Sequence, residues 1–196
     1  MIRILMTQKT CLEDVRPFPN VSIRQVNRLD LPKLEWDGLY WKFRNIFADL
    51  YRSSLSGRTL LWVVTHQGQK EELIGQAFVL LKSNERDTAD GKSRAYVFSF
   101  RVKDQWRNQG IGSYLMTFIE DDLRQRGFEY VTLNVAKENL AAQRLYRRLG
   151  YRVVGSRPGI WSYRDPDGKI HRVNEPSWRM IKNLSGAGKT NFPKDY

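Results

Sequence analysis

The sequence is poor in the residues that build covalent or metal frameworks. Cys11 is the single cysteine among 196 residues, so no intrachain disulfide can form and nothing points to a secreted, disulfide-stapled domain. His66 and His171 are the only histidines, and neither has a cysteine or carboxylate at ligand spacing, which argues against a metal site. Long apolar runs are missing too. No stretch approaches the roughly 20 residues of a membrane span, and the opening Met1-Ile2-Arg3-Ile4-Leu5-Met6 is too short for a signal-peptide core. The expectation from these absences is a cytoplasmic protein without membrane segments. Negative charge is scarce as well: 33 Lys and Arg face 21 Asp and Glu, a formal charge of +12. That excess admits nucleic acid, an acidic protein face or a phosphorylated cofactor as partner, and does not choose among them.

What is present has an ordinary globular balance, 41% hydrophobic and 28% charged, at a length suited to one domain. Residues 1–20 read as an N-terminal extension closed by Pro17 and Pro19, residues 21–184 as the domain, and residues 185–196 as a flexible tail of small, polar and Pro residues. Val21, Ile23 and Val26 predict a first strand. A helical pattern covers residues 29–55, with Trp41, Ile46, Phe47, Leu50 and Tyr51 recurring at spacings of one, three and four. Strands are expected over residues 60–64 and 73–81, joined at Gln67-Gly68-Gln69, then an exposed connection over residues 83–93 and a strand over residues 96–102. Ile111, Leu115, Phe118, Ile119 and Leu123 mark a helix over residues 110–126. A strand over residues 131–135 follows, then a helix capped by Asn139. Strands over residues 151–154 and 176–181 close the fold, and Asp165-Pro166-Asp167-Gly168 turns a hairpin between them. The order argues for one mixed α/β (α+β) domain, a single sheet flanked by helices.

The chemistry concentrates in Val102-Lys103-Asp104-Gln105-Trp106-Arg107-Asn108-Gln109-Gly110-Ile111-Gly112-Ser113. A strand ends, a basic turn follows, and two glycines open a long helix. The first N–H groups of a helix lack internal partners and sit at its positive end, so this geometry suits a diphosphate. Gly110 and Gly112 let backbone approach an anion, and Arg107 adds a charge beside the turn. Two other phosphate motifs fail. Leu115 stands where the dinucleotide fingerprint needs its third glycine. Gly188-Lys189-Thr190 mimics the end of a P-loop, but Asn183 stands where that motif needs its first glycine, and Pro193 follows closely.

With Asn139, Ala142, Leu145, Tyr146, Leu149, Gly150 and Tyr151 about thirty residues beyond the turn, the sequence resembles the GCN5-related N-acetyltransferase (GNAT) family. Arg107 to Gly112 match that family's pyrophosphate turn, Arg/Gln-x-x-Gly-x-Gly/Ala. The later set matches its second block, Asn-x-x-Ala-x-x-Leu-Tyr-x-x-x-Gly-Phe/Tyr. The resemblance implies a GNAT-like sheet of six to seven strands with about four helices, splayed at the cofactor strand. It implies acetyl-coenzyme A as co-substrate and direct transfer to a primary amine in a ternary complex, with no covalent acyl-enzyme and no metal. The strand segment Phe100-Arg101-Val102 would bind the acetyl carbonyl and pantetheine through backbone, and Arg107, Asn108, Gln109, Gly110, Ile111, Gly112 and Ser113 would hold the diphosphate. Asn139 would bond the pantetheine as well as cap its helix, and Tyr146 would touch the cofactor as general acid.

The sequence departs from relatives at the base. Asn134 stands where they often carry Glu or His, and an amide takes no proton from an ammonium. Ser99, Glu138 and Glu175 are alternatives, as is a water chain. Arg144, Arg147, Arg148 and Arg152 read as a solvated helix face or a contact for the cofactor's 3′-phosphate. Trp161 and Tyr163 could line the substrate cleft or cover a sheet edge. A coenzyme-A-binding regulatory protein without turnover is a second reading, and a basic nucleic-acid-binding module a third. The acceptor is open among peptide N-termini, Lys and small amines, and a homodimer is admissible.

Overall fold

The computed structural model of the chain describes residues 18–85 and 87–185. Cys11, most of the N-terminal extension, and the tail with Gly188-Lys189-Thr190 lie outside the described residues. Alternating apolar residues build four antiparallel neighbours, β1 (Val21–Gln25), β2 (Thr59–Gln67), β3 (Glu71–Leu80) and β4 (Arg94–Val102). Helix α2 (Ile111–Gln125) then carries the chain across so that β5 (Tyr130–Ala136) lies parallel to β4. Parallel neighbours need such a crossover, which is why a long amphipathic helix stands between these two strands. Helix α3 (Leu140–Arg148), β6 (Arg152–Arg157), the hairpin β7 (Ile160–Arg164) and β8 (Ile170–Asn174), and β9 (Ser177–Asn183) complete the described chain. The seven-stranded mixed sheet runs β1-β2-β3-β4-β5-β9-β6, with β7 and β8 paired as a separate ribbon.

Each face of the sheet has its own core. Leu115, Ile119 and Leu123 of α2 and Tyr146 of α3 bury one face with Val97, Val131 and Leu133. Phe47 of α1 (Arg44–Leu55) packs on the other with Leu61, Val63 and Phe78. No described helix is long and apolar enough to cross a membrane.

Two stretches differ from the sequence expectation. Residues 29–55 are not one helix: a 3-10 helix (Arg28–Glu35) is followed by a turn, a short 3-10 segment (Trp41–Phe43) and α1. The break falls at Trp36, Asp37 and Gly38, all with positive φ (48°, 57° and 89°). Trp36 is held there by its indole N–H, which donates to Gln76 Oε1 at 2.8 Å in the core. A fixed long-range partner overrides local helical pattern. Residues 83–93 are not an exposed connection either. Thr88 and Ala89 are buried, and the Asp90 carboxylate accepts the backbone N–H groups of Lys92, Ser93 and Arg94 at 2.9 Å each.

Candidate active site

The glycine turn is built as the sequence predicts. After a 3-10 turn (Asp104–Trp106), Asn108 and Gly110 take left-handed backbone, φ 59° and 89°. The ladder of α2 starts with Tyr114 N–H donating to the Gly110 carbonyl at 2.9 Å. The N–H groups ahead of it open outward at the positive helix end, a concave anion nest. Neither glycine has room for a side chain without displacing a neighbour: a Cβ at Gly110 would lie 3.1 Å from the Phe18 ring, and one at Gly112 3.3 Å from Phe100. The unpartnered N–H groups at the helix start fit a diphosphate. Ile111 is buried in the core, so its contribution is backbone only. Arg107 differs from expectation. Its Nε donates to the Val102 carbonyl at 3.0 Å and its Nη2 pairs with Asp104 at 2.8 Å, so it braces the turn itself.

Beside the turn the sheet opens. β4 and β5 pair from Arg94–Tyr130 to Val97–Leu133 and no further, while Asn134 to Ala136 stay paired with β9. On its other side β4 bulges, because Phe98 pairs with Phe78 and Arg101 with Gln76, leaving Ser99 and Phe100 opposite the single Ala77. Ser99 takes φ 51° there. A bulge bends a strand and re-aims its groups, and here it turns the end of β4 from β5. The backbone of Phe100, Arg101 and Val102 thus borders a wedge in the middle of the sheet, next to the anion nest.

Tyr146 lies at this wedge, buried, with its ring 6.0 Å from Phe100 and 5.8 Å from Tyr151. Burial pushes its phenol above the ordinary 10.0, and the nearby Tyr96 adds to the effect. Its hydroxyl makes no hydrogen bond among the described residues. Tyr96 itself was not singled out from sequence, where it reads as one more aromatic in an alternating strand. Burial raises its phenol too, against the opposing charge of Arg179. Asn139 caps α3, its Oδ1 accepting Ala142 N–H at 3.0 Å, which leaves its amide NH₂ available as a donor.

Several candidates are not brought together. Asn134 is exposed on β5, and Glu138 and Glu175 are exposed where β5 and β9 meet beyond the Ala136–Ser177 pair. Ser99 is excluded as a base, since its Oγ already accepts from Gln76 Nε2 at 3.2 Å and Arg101 Nη1 at 3.0 Å. His66 packs at a tilt against Trp106, ring centres 4.7 Å apart, and His171 Nε2 lies 2.7 Å from Asp165 in the hairpin. Arg144, Arg147, Arg148 and Arg152 are exposed on and beyond α3.

The face opposite α2 and α3 carries an aromatic wall. Tyr163 and Trp161 reach Phe43 at 4.8 and 6.3 Å, and Arg101 lies 3.9 Å above the Tyr40 ring. A separate groove of about 610 Å³ lies between α1 and β7, lined by Asn45, Asp49, Arg52 and Trp161 among others. It holds none of the turn or wedge residues.

Comparison with known proteins places this geometry. Residues 23–151 match the family model described as Acetyltransferase (GNAT) family. The chain is 25% identical to rat (Rattus norvegicus) N-acetyltransferase 8F1 over 114 residues, 58% of this chain and 49% of that protein. It spans about half the length of the curated relatives it matches. Among solved structures, the ribosomal-protein-S18-alanine N-acetyltransferase from Escherichia coli aligns at TM-score 0.59 and 23% identity, covering 88% of this chain and 99% of that one. Arabidopsis thaliana NAA60 in complex with acetyl-CoA aligns at TM-score 0.62 and 22% identity, covering 85% and 99%. At these identities the structures establish a shared fold.

Proposed function

From the membership of this chain in the acetyltransferase (GNAT) family, we propose that it transfers an acetyl group from acetyl-coenzyme A directly to a primary amine. The observation that carries this reading is the juxtaposition of the anion nest at Gly110 with the wedge between β4 and β5. The nest takes a diphosphate, and the wedge offers backbone groups to an extended, amide-containing arm lodged beside β4. Acetyl-coenzyme A supplies a thioester, whose C–S bond breaks as the amine's C–N bond forms. Fixed N–H groups on the bulged part of β4 stabilise charge that develops on a carbonyl oxygen there. Tyr146 keeps its proton at every physiological pH and gives it to the leaving sulfur, regaining one from solvent. Asn134 orients and does not accept a proton, so the ammonium proton leaves through water on the open face.

Calorimetric titration of acetyl-coenzyme A into the protein tests this, with Gly110→Trp alongside and circular dichroism as fold control. Saturable binding to the wild type, lost in a folded variant, is the expected result. No binding at millimolar cofactor would remove the reading. The lack of a side-chain base at Asn134 favours one alternative, coenzyme A binding without turnover. Thiol release in the presence of amines separates the two.

A further inference from the structure

Ser99 and Arg101 are joined by a chain of hydrogen bonds whose directions are all fixed. The Trp36 indole N–H can only donate, and it donates to Gln76 Oε1 at 2.8 Å. That sets the amide, so Gln76 Nε2 must be the donor to Ser99 Oγ at 3.2 Å. A guanidinium has no acceptor, so Arg101 Nη1 also donates to Ser99 Oγ, at 3.0 Å. Both lone pairs of the hydroxyl are thereby used. Its single hydrogen must point elsewhere, and Ser99 sits in the bulge at the wedge.

Arg101 is half-buried and carries its charge without an acidic partner among the described residues. One N–H goes to Ser99, and the guanidinium lies 3.9 Å from the Tyr40 ring centre and 5.8 Å from that of Phe43. Burial destabilises the charge and lowers its proton affinity. A cation withdrawn from water calls for an anion, and the planar fork of Arg matches a carboxylate. The pairing of Arg101 with Gln76, whose side chain bonds Trp36, puts this group on the face opposite α2 and its anion nest. With acetyl-coenzyme A entering from the α2 side, the acceptor comes from this one.

The geometry points to Arg101 and Ser99 as a receptor for a carboxylate on the acyl acceptor, so that the acceptor is an amine of the amino-acid class. The Arg101 fork takes the carboxylate, the Ser99 hydroxyl donates a further bond, and the aromatic wall of Tyr40, Phe43 and Tyr163 lies alongside for an apolar side chain. This rests on the acetyl-transfer reading, in which the reaction product is an N-acetylated acid.

Binding of products tests the receptor without requiring turnover. Protein saturated with coenzyme A is titrated with N-acetylglycine, N-acetylleucine, N-acetylphenylalanine and N-acetylglutamate, each against its α-carboxamide. A second arm pairs acetylated dipeptides ending in Asp or Asn amide, to separate a free amino acid from an acidic side chain in a peptide. At least one acid is expected to bind about tenfold tighter than its amide, the scale of one charge-assisted contact. Arg101→Met should bring that ratio near unity, Arg101→Lys should keep part of it, and Ser99→Ala should reduce it about threefold. A panel with no acid preference overturns the proposal, and so does a preference unchanged in Arg101→Met with coenzyme A still bound. Failure of coenzyme A to bind would strike the acetyl-transfer reading instead, and titration of the acids alone would still report on the receptor.

Discussion

A phenol held above its ordinary pKa gives up a proton only to a strong acceptor, and a departing thiolate is one. Tyr146 meets that description through burial. Replacing it with Phe keeps the ring against Phe100 and Tyr151 and deletes the donor. Expected is a fall in kcat of about 10²- to 10³-fold with little change in acetyl-coenzyme A affinity, read by steady-state thiol release and calorimetry. Because its phenol is raised, kcat should show no loss from ionisation of Tyr146 as pH rises to 10. At this scale the sequence was readable where a residue's placement is local. Gly110, Asn139 and Tyr146 belong to short motifs whose backbone demands are written in their neighbours. Trp36, Gln76 and the orientation of Ser99 were not readable, since the indole meets its amide across 40 residues of chain. Arg107 was readable as a charge near the turn, and its engagement by Val102 and Asp104 was not.

The β7–β8 hairpin shows what a single element depends on. Gly159 starts it with φ 65°, and a Cβ there would lie 1.8 Å from the Glu175 carbonyl oxygen. Backbone cannot move aside as a flexible side chain can. Gly159→Val should therefore unseat the hairpin, drawing Trp161 and Tyr163 from Phe43. The expected outcome is a several-fold rise in KM for the amine with acetyl-coenzyme A affinity kept, measured with any amine found to be a substrate. The hairpin's turn was legible from Asp165-Pro166-Asp167-Gly168, and the structure adds the reason it holds: the buried Asp165 carboxylate accepts Lys169 N–H at 2.9 Å and meets His171. Residues 29–55 show the opposite case. Apolar spacing predicts one helix there, and Trp36 docking on Gln76 breaks it.

For the whole molecule, acid is the informative stress. Burial opposes the charge of Asp90, but three backbone N–H groups and the Ser93 hydroxyl hold its carboxyl down to about 2 from the ordinary 3.8. The folded state then binds fewer protons than the unfolded state, so stability rises with pH across this window. Its contribution is full above the ordinary value and is lost as pH falls toward 2. Asp30, desolvated but bonded to Arg24 and the Asn27 N–H, is lowered as well and acts in the same direction. Asp90→Asn should flatten the fall of unfolding midpoint between about pH 4 and pH 2, followed by denaturant titration at each pH.

The four residue pairs that join β4 to β5 end in the middle of the sheet, and this has a colloidal consequence. Beyond Val97 and Leu133 the empty protein presents strand edges of the kind that recruit other chains, here in its interior rather than at its rim. A ligand lodged in the wedge would act as a plug. Warmed without cofactor, the protein should scatter light at a lower temperature than its loss of helical signal predicts, and acetyl-coenzyme A should raise that onset. A cell short of cofactor would then hold this protein in its most association-prone state.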